Sequence, residues 1–314
     1  MRWPYGKARV GATLTPVALA ALTLPLLGTT PAAADVAEQR LPSKINALTW
    51  NICGGAKSIC GGTGTAKEKI AKVMERVADD PSLAVIILTE VCEKAHAGEL
   101  QRNLKDGWRV NFRAGPVMGG RPGEVNRCSM PGTEDQRAGV LVALKKFRGS
   151  QIRAKDENFP GVPYANDKAG RPTQGAACLR DWTYKVMACG SHFPSDGVDE
   201  REGTDYDTRE ACAYRFGALG AKWQAKGWRT VLGGDLNLNA EDERPRLRYL
   251  YDWGNFEGDQ QNRVTHDGVL SNEKLDYLFF SDRGWRLEGA IVDYSDSVSA
   301  LSDHWLLKAT VQRT

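Results

Sequence analysis

The side chains best equipped for chemistry in this chain sit where apolar runs stop. Ile45-Asn46-Ala47-Leu48-Thr49-Trp50 leads into Asn51, and Leu83-Ala84-Val85-Ile86-Ile87-Leu88 leads into Thr89-Glu90. His192 follows Ser191 at the close of another run, and Val231-Leu232-Gly233-Gly234 delivers Asp235, with Asn237 two residues on. In extended backbone that spacing puts a carboxylate and a carboxamide on one side of the chain. Asp276 lies inside Leu275-Asp276-Tyr277-Leu278-Phe279-Phe280, where an unpaired carboxylate is costly. Asp303-His304 stands just before the last strand-like stretch, so two of the four histidines fall in this set. Carboxylate oxygens hold hard divalent cations, amide groups donate to phosphate oxygens, and imidazoles move protons near neutrality. These are the parts of a phosphoester-hydrolysing site. Taken singly, each also fits a commoner use: a turn at Asn51, Asp235 or Asp303, a helix cap at Glu90, a core imidazole at His192, a structural acceptor at Asp276.

Such side chains act together only if strands carry them to one end of a fold. Residues 45–52 read as a strand, a glycine-rich loop follows, and 66–78 has Ile70, Val73, Met74 and Val77 at helical spacing. Residues 83–88 form a continuous apolar run of the kind buried on both faces. The pattern then predicts a helix over 93–104, strands over 108–113 and 138–144, and a hairpin from 173–179 and 184–192. A helix over 208–226, a strand over 230–232, a helix over 245–252 and strands over 275–280, 287–294 and 305–311 complete it. Residues 114–135, 149–171 and 194–207 read as loops. Many strands, fewer helices and hairpins mixed with a strand–helix–strand opening predict an α/β sandwich, and the alternation is too irregular for a (β/α)₈ barrel.

The chain has 314 residues. Arg2, Lys7 and Arg9 precede an apolar run from Val17 to Leu27 and the small residues Ala32-Ala33-Ala34, the signature of a secretory signal peptide over 1–34. A short tail over 35–44 would lead into one catalytic domain over 45–314. No later apolar run is long enough to span a bilayer. Without 1–34, basic and acidic residues balance at 39 each, so net charge offers no argument for nucleic acid. All seven cysteines lie beyond the signal segment, and export favours disulfides over metal sites. Cys53 and Cys60 flank the glycine-rich loop, Cys178 and Cys189 lie on the two arms of the hairpin, and Cys92 and Cys128 remain as partners, with Cys212 left over.

The set Trp50-Asn51, Thr89-Glu90, Ser191-His192, Gly234-Asp235-Leu236-Asn237, Leu275-Asp276-Tyr277 and Ser302-Asp303-His304 occurs in the order of a known superfamily. The chain resembles the endonuclease/exonuclease/phosphatase superfamily over about residues 45–312. The resemblance implies a four-layer α/β/β/α sandwich with two central, mostly antiparallel sheets. It also implies phosphoester hydrolysis assisted by Mg²⁺, with Mn²⁺ or Ca²⁺ as alternatives. Glu90 would be the main metal ligand, with Asn51 and Asp303 near the cation. Asp276 would pair with His304, His192 would bind the scissile phosphate or exchange protons, Asp235 would orient or deprotonate water, and Asn237 would donate to a phosphate oxygen. Arg137 and Arg171 precede strands near the expected phosphate-binding face and are candidate substrate contacts. Two departures stand out: Thr89 where many relatives carry Gln, and Phe193 where Leu is commoner. A secreted, monomeric DNA endonuclease is the first expectation. A phospholipid or sphingomyelin phosphodiesterase, or a phosphomonoesterase, is the alternative.

Overall fold

In the computed structural model the apolar runs become the strands of two stacked sheets. The structure describes residues 41–54, 64–116, 124–159, 162, 174–195, 208–239, 244–267 and 272–314. The signal segment expected over 1–34, Cys60 and Arg171 lie outside the described residues. In chain order the strands are β1 (Lys44–Asn51), β2 (Leu83–Cys92), β3 (Trp108–Ala114), β4 (Ala138–Lys145), β5 (Ile152–Ala154), β6 (Glu157–Asn158), β7 (Gly175–Asp181) and β8 (Val186–Ser191). They continue with β9 (Arg229–Asp235), β10 (Asn255–Glu257), β11 (His266–Asp267), β12 (Asn272–Glu273), β13 (Asp276–Ser281), β14 (Trp285–Asp293) and β15 (Leu306–Arg313). The helices are α1 (Ala66–Asp79), α2 (Glu99–Leu104), α3 (Thr208–Gln224), α4 (Arg244–Tyr251) and α5 (Asp296–Ser299).

One sheet runs β14-β15-β1-β2-β4-β3, the other β10-β13-β9-β8-β7-β5 with β6 beside β7. The pairs β1–β2 and β8–β9 are parallel, and the other neighbours run antiparallel. Three apolar cores make this four layers. Between the sheets, Ile45, Ala47, Val85 and Ile87 meet Leu179, Ala188, Val231 and Leu278. On the outer face of the first sheet, Leu48, Trp50 and Ile86 pack with Ile70 and Val73 of α1. On the outer face of the second, Leu232, Tyr277 and Phe279 pack with Phe216 of α3 and Leu247 of α4. Helix α1 starts with a capping box in which the Thr65 side chain accepts from the Glu68 N–H while Glu68 accepts from the Thr65 N–H, an arrangement worth about 1 kcal/mol.

Side chains alternate across a strand, so the inner faces can be followed in steps of two. Ile45, Ala47 and Thr49 lead to Asn51; Ala188 and Gly190 lead to His192; Val231 and Gly233 lead to Asp235; Phe280 and Leu278, read backwards, lead to Asp276. The apolar core between the sheets thus ends in a polar cap. At Gly190 a Cβ would lie 2.7 Å from Ile87 Cγ2, so the absence of a side chain there lets the sheets approach beneath that cap.

Two local expectations give way. The single helix over 93–104 begins as a π-helical turn, Glu93–Gly98, before α2. The wider turn lets His96 Nδ1 accept the Cys92 N–H at 3.0 Å. The loop over 149–171 contains β5 and β6, whose short polar sequences carry no periodic signal and are set by pairing with β7. Among the described residues two cysteine pairs are bonded to each other: Cys92–Cys128 with Cα atoms 5.8 Å apart, and Cys178–Cys189, directly opposite across β7 and β8, at 4.2 Å. Cys53 is also disulfide-bonded, and Cys212, on α3, is buried. No helix among the described residues is long and apolar enough to cross a membrane.

Gly234 has φ +128°, and a Cβ there would lie 2.0 Å from the Ser191 carbonyl oxygen. Gly234→Ala should therefore cost about 2 kcal/mol or more in urea denaturation. Gly107→Ala, at a glycine with open space around it, should stay within about 0.5 kcal/mol. Equal midpoints for the two variants would remove Gly234 as a backbone constraint.

Candidate active site

Asp235 is the hub of the polar cap. It ends β9 on the inner face, opposite Asp276 in the antiparallel register with β13, and is almost fully buried. Its Oδ1 accepts the Asn237 backbone N–H at 2.9 Å, which fixes the carboxylate plane. Its Oδ2 accepts from Asn51 Nδ2 at 2.9 Å and lies 3.5 Å from His192 Nε2 and 3.7 Å from His304 Nε2. Three side chains from three different strand ends thus converge on one oxygen.

His304 is held through both its ring and its backbone. Its Nδ1 meets Asp276 Oδ2 at 2.7 Å, and both side chains are buried. Burial alone would depress the imidazole, but Asp276, aided by Asp235 and Asp303, pushes it up to about 10. The pair is therefore an imidazolium on a carboxylate, with Nε2 pointed at the cap. Its backbone is pinned as well. Trp50 Nε1 donates to the His304 carbonyl at 2.8 Å, and the His304 N–H donates to Ser302 Oγ at 3.1 Å. Ser302 Oγ donates in turn to the Asn51 carbonyl at 2.7 Å, tying this loop to the end of β1. Thr265 Oγ1 accepts the Leu275 and Asp276 N–H groups at 3.0 and 2.9 Å, fixing where β13 begins.

Glu90 sits in β2 where the register with β4 shifts between Leu88 and Val91. Its φ is +55°, uncommon for a side-chain-bearing residue. A bulge re-aims a strand side chain, and here it turns Glu90 to Asn51, whose Nδ2 donates to Glu90 Oε1 at 3.2 Å. Asn51 Oδ1 accepts the Cys53 N–H at 2.9 Å. Asn51 thus links Glu90 to Asp235 rather than offering an uncommitted oxygen. Burial raises the proton affinity of Asp303, and the charge of Glu90 adds to it against His304 and His266. A divalent cation beside Asp303 would offset the cost of its ionisation. Glu90 and Asp303 are hard oxygen donors that suit one.

Asn237 has φ +49°, and its Nδ2 donates to the Phe193 carbonyl at 2.9 Å, bracing the His192 loop against β9. Arg137 does not join the site: its guanidinium is forked onto Glu93, with Nε 2.7 Å from Oε2. In its place, a cleft of about 210 Å³ beside Glu90 and His192 is lined by Arg113, Arg127, Asn126, Gln174 and Ser195. Sequence reasoning passed over Arg113 and Arg127 because β3 and the segment after it are brought to the site only by pairing with β4. It also passed over Lys69. This α1 residue is buried and donates to the Ile52 and Cys53 carbonyls at 2.7 and 3.1 Å. Burial lowers its ammonium to about 8 against the opposing pull of Glu90 and Asp303. His266, adjacent to Thr265, stacks obliquely on His304 with ring centroids 4.6 Å apart.

The fold recurs in solved structures. The human Nocturnin catalytic domain with bound sulfate anion is 14% identical with a TM-score of 0.58, covering 88% of this chain and 96% of that one. D. rerio TDP2 complexed with single strand DNA product is 14% identical with a TM-score of 0.57, covering 86% and 100%. An endonuclease/exonuclease/phosphatase from Bacteroides vulgatus is 14% identical with a TM-score of 0.58, covering 87% and 100%. At this identity the likeness is one of fold. No curated protein matches the chain. The model of the Endonuclease/Exonuclease/phosphatase family matches residues 48–304, a span that takes in Asn51, Glu90, His192, Asp235, Asn237, Asp276, Asp303 and His304, and the chain belongs to that family of phosphoester hydrolases.

Proposed function

We propose that the protein is a secreted, divalent-cation-dependent phosphodiesterase that cleaves nucleic acid, with DNA as the favoured substrate and an endonucleolytic mode. The observation that carries the reading is the convergence of Asn51, His192 and His304 on one oxygen of Asp235, with Glu90 and Asp303 alongside. Asp235 accepts a proton from the attacking water, whose oxygen forms the new bond to phosphorus. His304, kept protonated by Asp276, places a positive charge and an N–H donor against the phosphoryl oxygens as they gain charge. His192 stands 3.5 Å from Asp235 Oδ2 and is more open to solvent than His304, which suits it to return a proton to the departing alkoxide. Asn51 holds Asp235 and Glu90 in register, and Asn237 holds the loop that carries His192. Glu90 and Asp303 would hold Mg²⁺ or Mn²⁺, which when bound neutralises phosphate charge and strengthens phosphorus as an electrophile.

The substrate reading rests on the cleft beside His192. Arg113 and Arg127 give it positive charge, and Asn126 and Gln174 give it hydrogen-bonding amides, a combination suited to a sugar-phosphate backbone. TDP2, a structural neighbour, is known with a single strand DNA product. Secretion is supported by the signature over 1–34 and by the bonded cysteine pairs.

Asp235→Asn should lower kcat on plasmid DNA by about 10²–10⁴-fold with little change in thermal midpoint. His304→Ala should lose activity and stability together, because Asp276 is then left buried without a cation, at a cost of about 3 kcal/mol. Normal turnover by either variant would sink the assignment. Chelation should abolish hydrolysis and added Mg²⁺ or Mn²⁺ restore it, in wild type but not in Glu90→Gln; full activity in chelator would refute the cation's role. Arg127→Ala should raise KM several-fold on DNA, by a smaller factor at high salt, and leave kcat within about threefold. Side-by-side turnover of plasmid DNA, RNA, sphingomyelin and a phosphomonoester decides the substrate, and preference for either of the last two would overturn the nuclease reading.

A further inference from the structure

We propose that His266, Asp303 and His304 form a second cation site, selective for a borderline-soft transition metal such as Zn²⁺, whose occupation blocks the hydrolytic centre. One ligand atom from each of the three residues lies within 4.8 Å of the others. The His266 Nε2 to Asp303 Oδ2 distance is 3.8 Å. In a tetrahedral zinc site with bonds of about 2.0–2.1 Å, ligand atoms stand roughly 3.4 Å apart, so small side-chain movements close the cluster around an ion. Two imidazoles and a carboxylate are a donor set for Zn²⁺, whereas Mg²⁺ takes oxygen ligands.

Two independent features mark these residues as more than neighbours. His304 Nδ1 is held at 2.7 Å by Asp276, so Nε2 is the atom it presents to the cluster. A carboxylate on the far nitrogen of a metal-binding histidine is the usual way proteins fix its ring for metal. His266, in turn, commits neither ring nitrogen to a hydrogen bond. Nδ1 is buried without a partner, and Nε2 faces Asp303 beyond hydrogen-bond reach. Its position is nonetheless defined, by the bridge between His266 and His304, by the Asp267 N–H donating to the Asp303 carbonyl at 2.8 Å, and by the Trp305 N–H donating to the Thr265 carbonyl at 2.7 Å.

The consequence follows from sharing. His304 Nε2 and the Asp303 carboxylate belong both to this cluster and to the centre that would hydrolyse the phosphoester. An ion on His304 Nε2 uses the lone pair that otherwise carries the proton facing Asp235, and it draws Asp303 away from Glu90. Zinc bound here is therefore an inhibitor, reversible by chelation and overcome only weakly by added Mg²⁺.

The test uses the full exported chain. Isothermal titration with Zn²⁺, in the presence of excess Mg²⁺, is run on wild type, His266→Gln and Glu90→Gln. His266→Gln should lose at least about tenfold in zinc affinity and Glu90→Gln should change little. With plasmid DNA as substrate, the zinc concentration for half inhibition of His266→Gln, taken relative to that variant's own activity in Mg²⁺, should rise over wild type by the same factor. The binding arm stands whether or not DNA is the substrate. Histidine-selective ¹⁵N NMR on wild type needs no variant: zinc should move the ring resonances of His266 and His304 and spare His96. Equal zinc affinity in His266→Gln, loss of binding in Glu90→Gln alone, or no change at the His266 and His304 rings would each overturn the proposal.

Discussion

A carboxylate with no contact to water must be met by a proton or a cation, and Asp276 makes that demand at the end of the inter-sheet core. His304 answers it, and much of the local structure exists to keep the answer in place. Trp50 holds the His304 carbonyl from the first sheet, Ser302 ties its N–H back to the end of β1, and Thr265 fixes the first residues of β13. The two sheets are therefore joined through one ion pair as well as through apolar contact. A buried pair of this kind contributes little net stability, since desolvation offsets attraction. What it secures is a defined place and charge state for one imidazole.

Around that pair, the backbone accepts conformations that ordinary strands avoid. Glu90 and Asn237 both have positive φ, Glu90 at the irregularity inside β2 and Asn237 just past the end of β9. The bulge at Glu90 aims its carboxylate toward Asn51, and the left-handed turn at Asn237 folds its amide onto the Phe193 carbonyl. Such residues cost about 1–3 kcal/mol each and persist because the neighbouring ladders and disulfides hold them. The Cys92–Cys128 bridge lies just beyond Glu90, and Cys178–Cys189 joins the strand that leads to His192.

Charge is arranged in zones. The cap gathers Glu90, Asp235, Asp276 and Asp303 with two imidazoles inside and the Lys69 ammonium beneath. The adjoining cleft carries Arg113 and Arg127. Under the proposed function the acidic centre would take the cation and the cationic wall the polyanion, the two adjoining at His192. Arg137, by pairing with Glu93, is kept out of that encounter.

The sequence by itself determined the strands and the chemistry of their ends. Apolar runs with period two must bury a face, and a polar residue at the end of such a run is held in a known direction. That is why Asn51, Asp235 and Asp276 stood out, together with an α/β sandwich to carry them, while the four layers were implied by the family resemblance. Tertiary structure alone decided who faces whom. Asp235 and Asp276 are 41 positions apart and become opposite partners only through the β9–β13 register. Lys69 looked like one more helix lysine until α1 packed its stem against the first sheet and turned its ammonium under the cap. His266 lies in a two-residue strand too short for any periodic signal, and that its ring rests on His304 was decided by packing across the chain. Local pattern reads what a residue buries; contacts across the chain, made by pairing and packing, read what it touches.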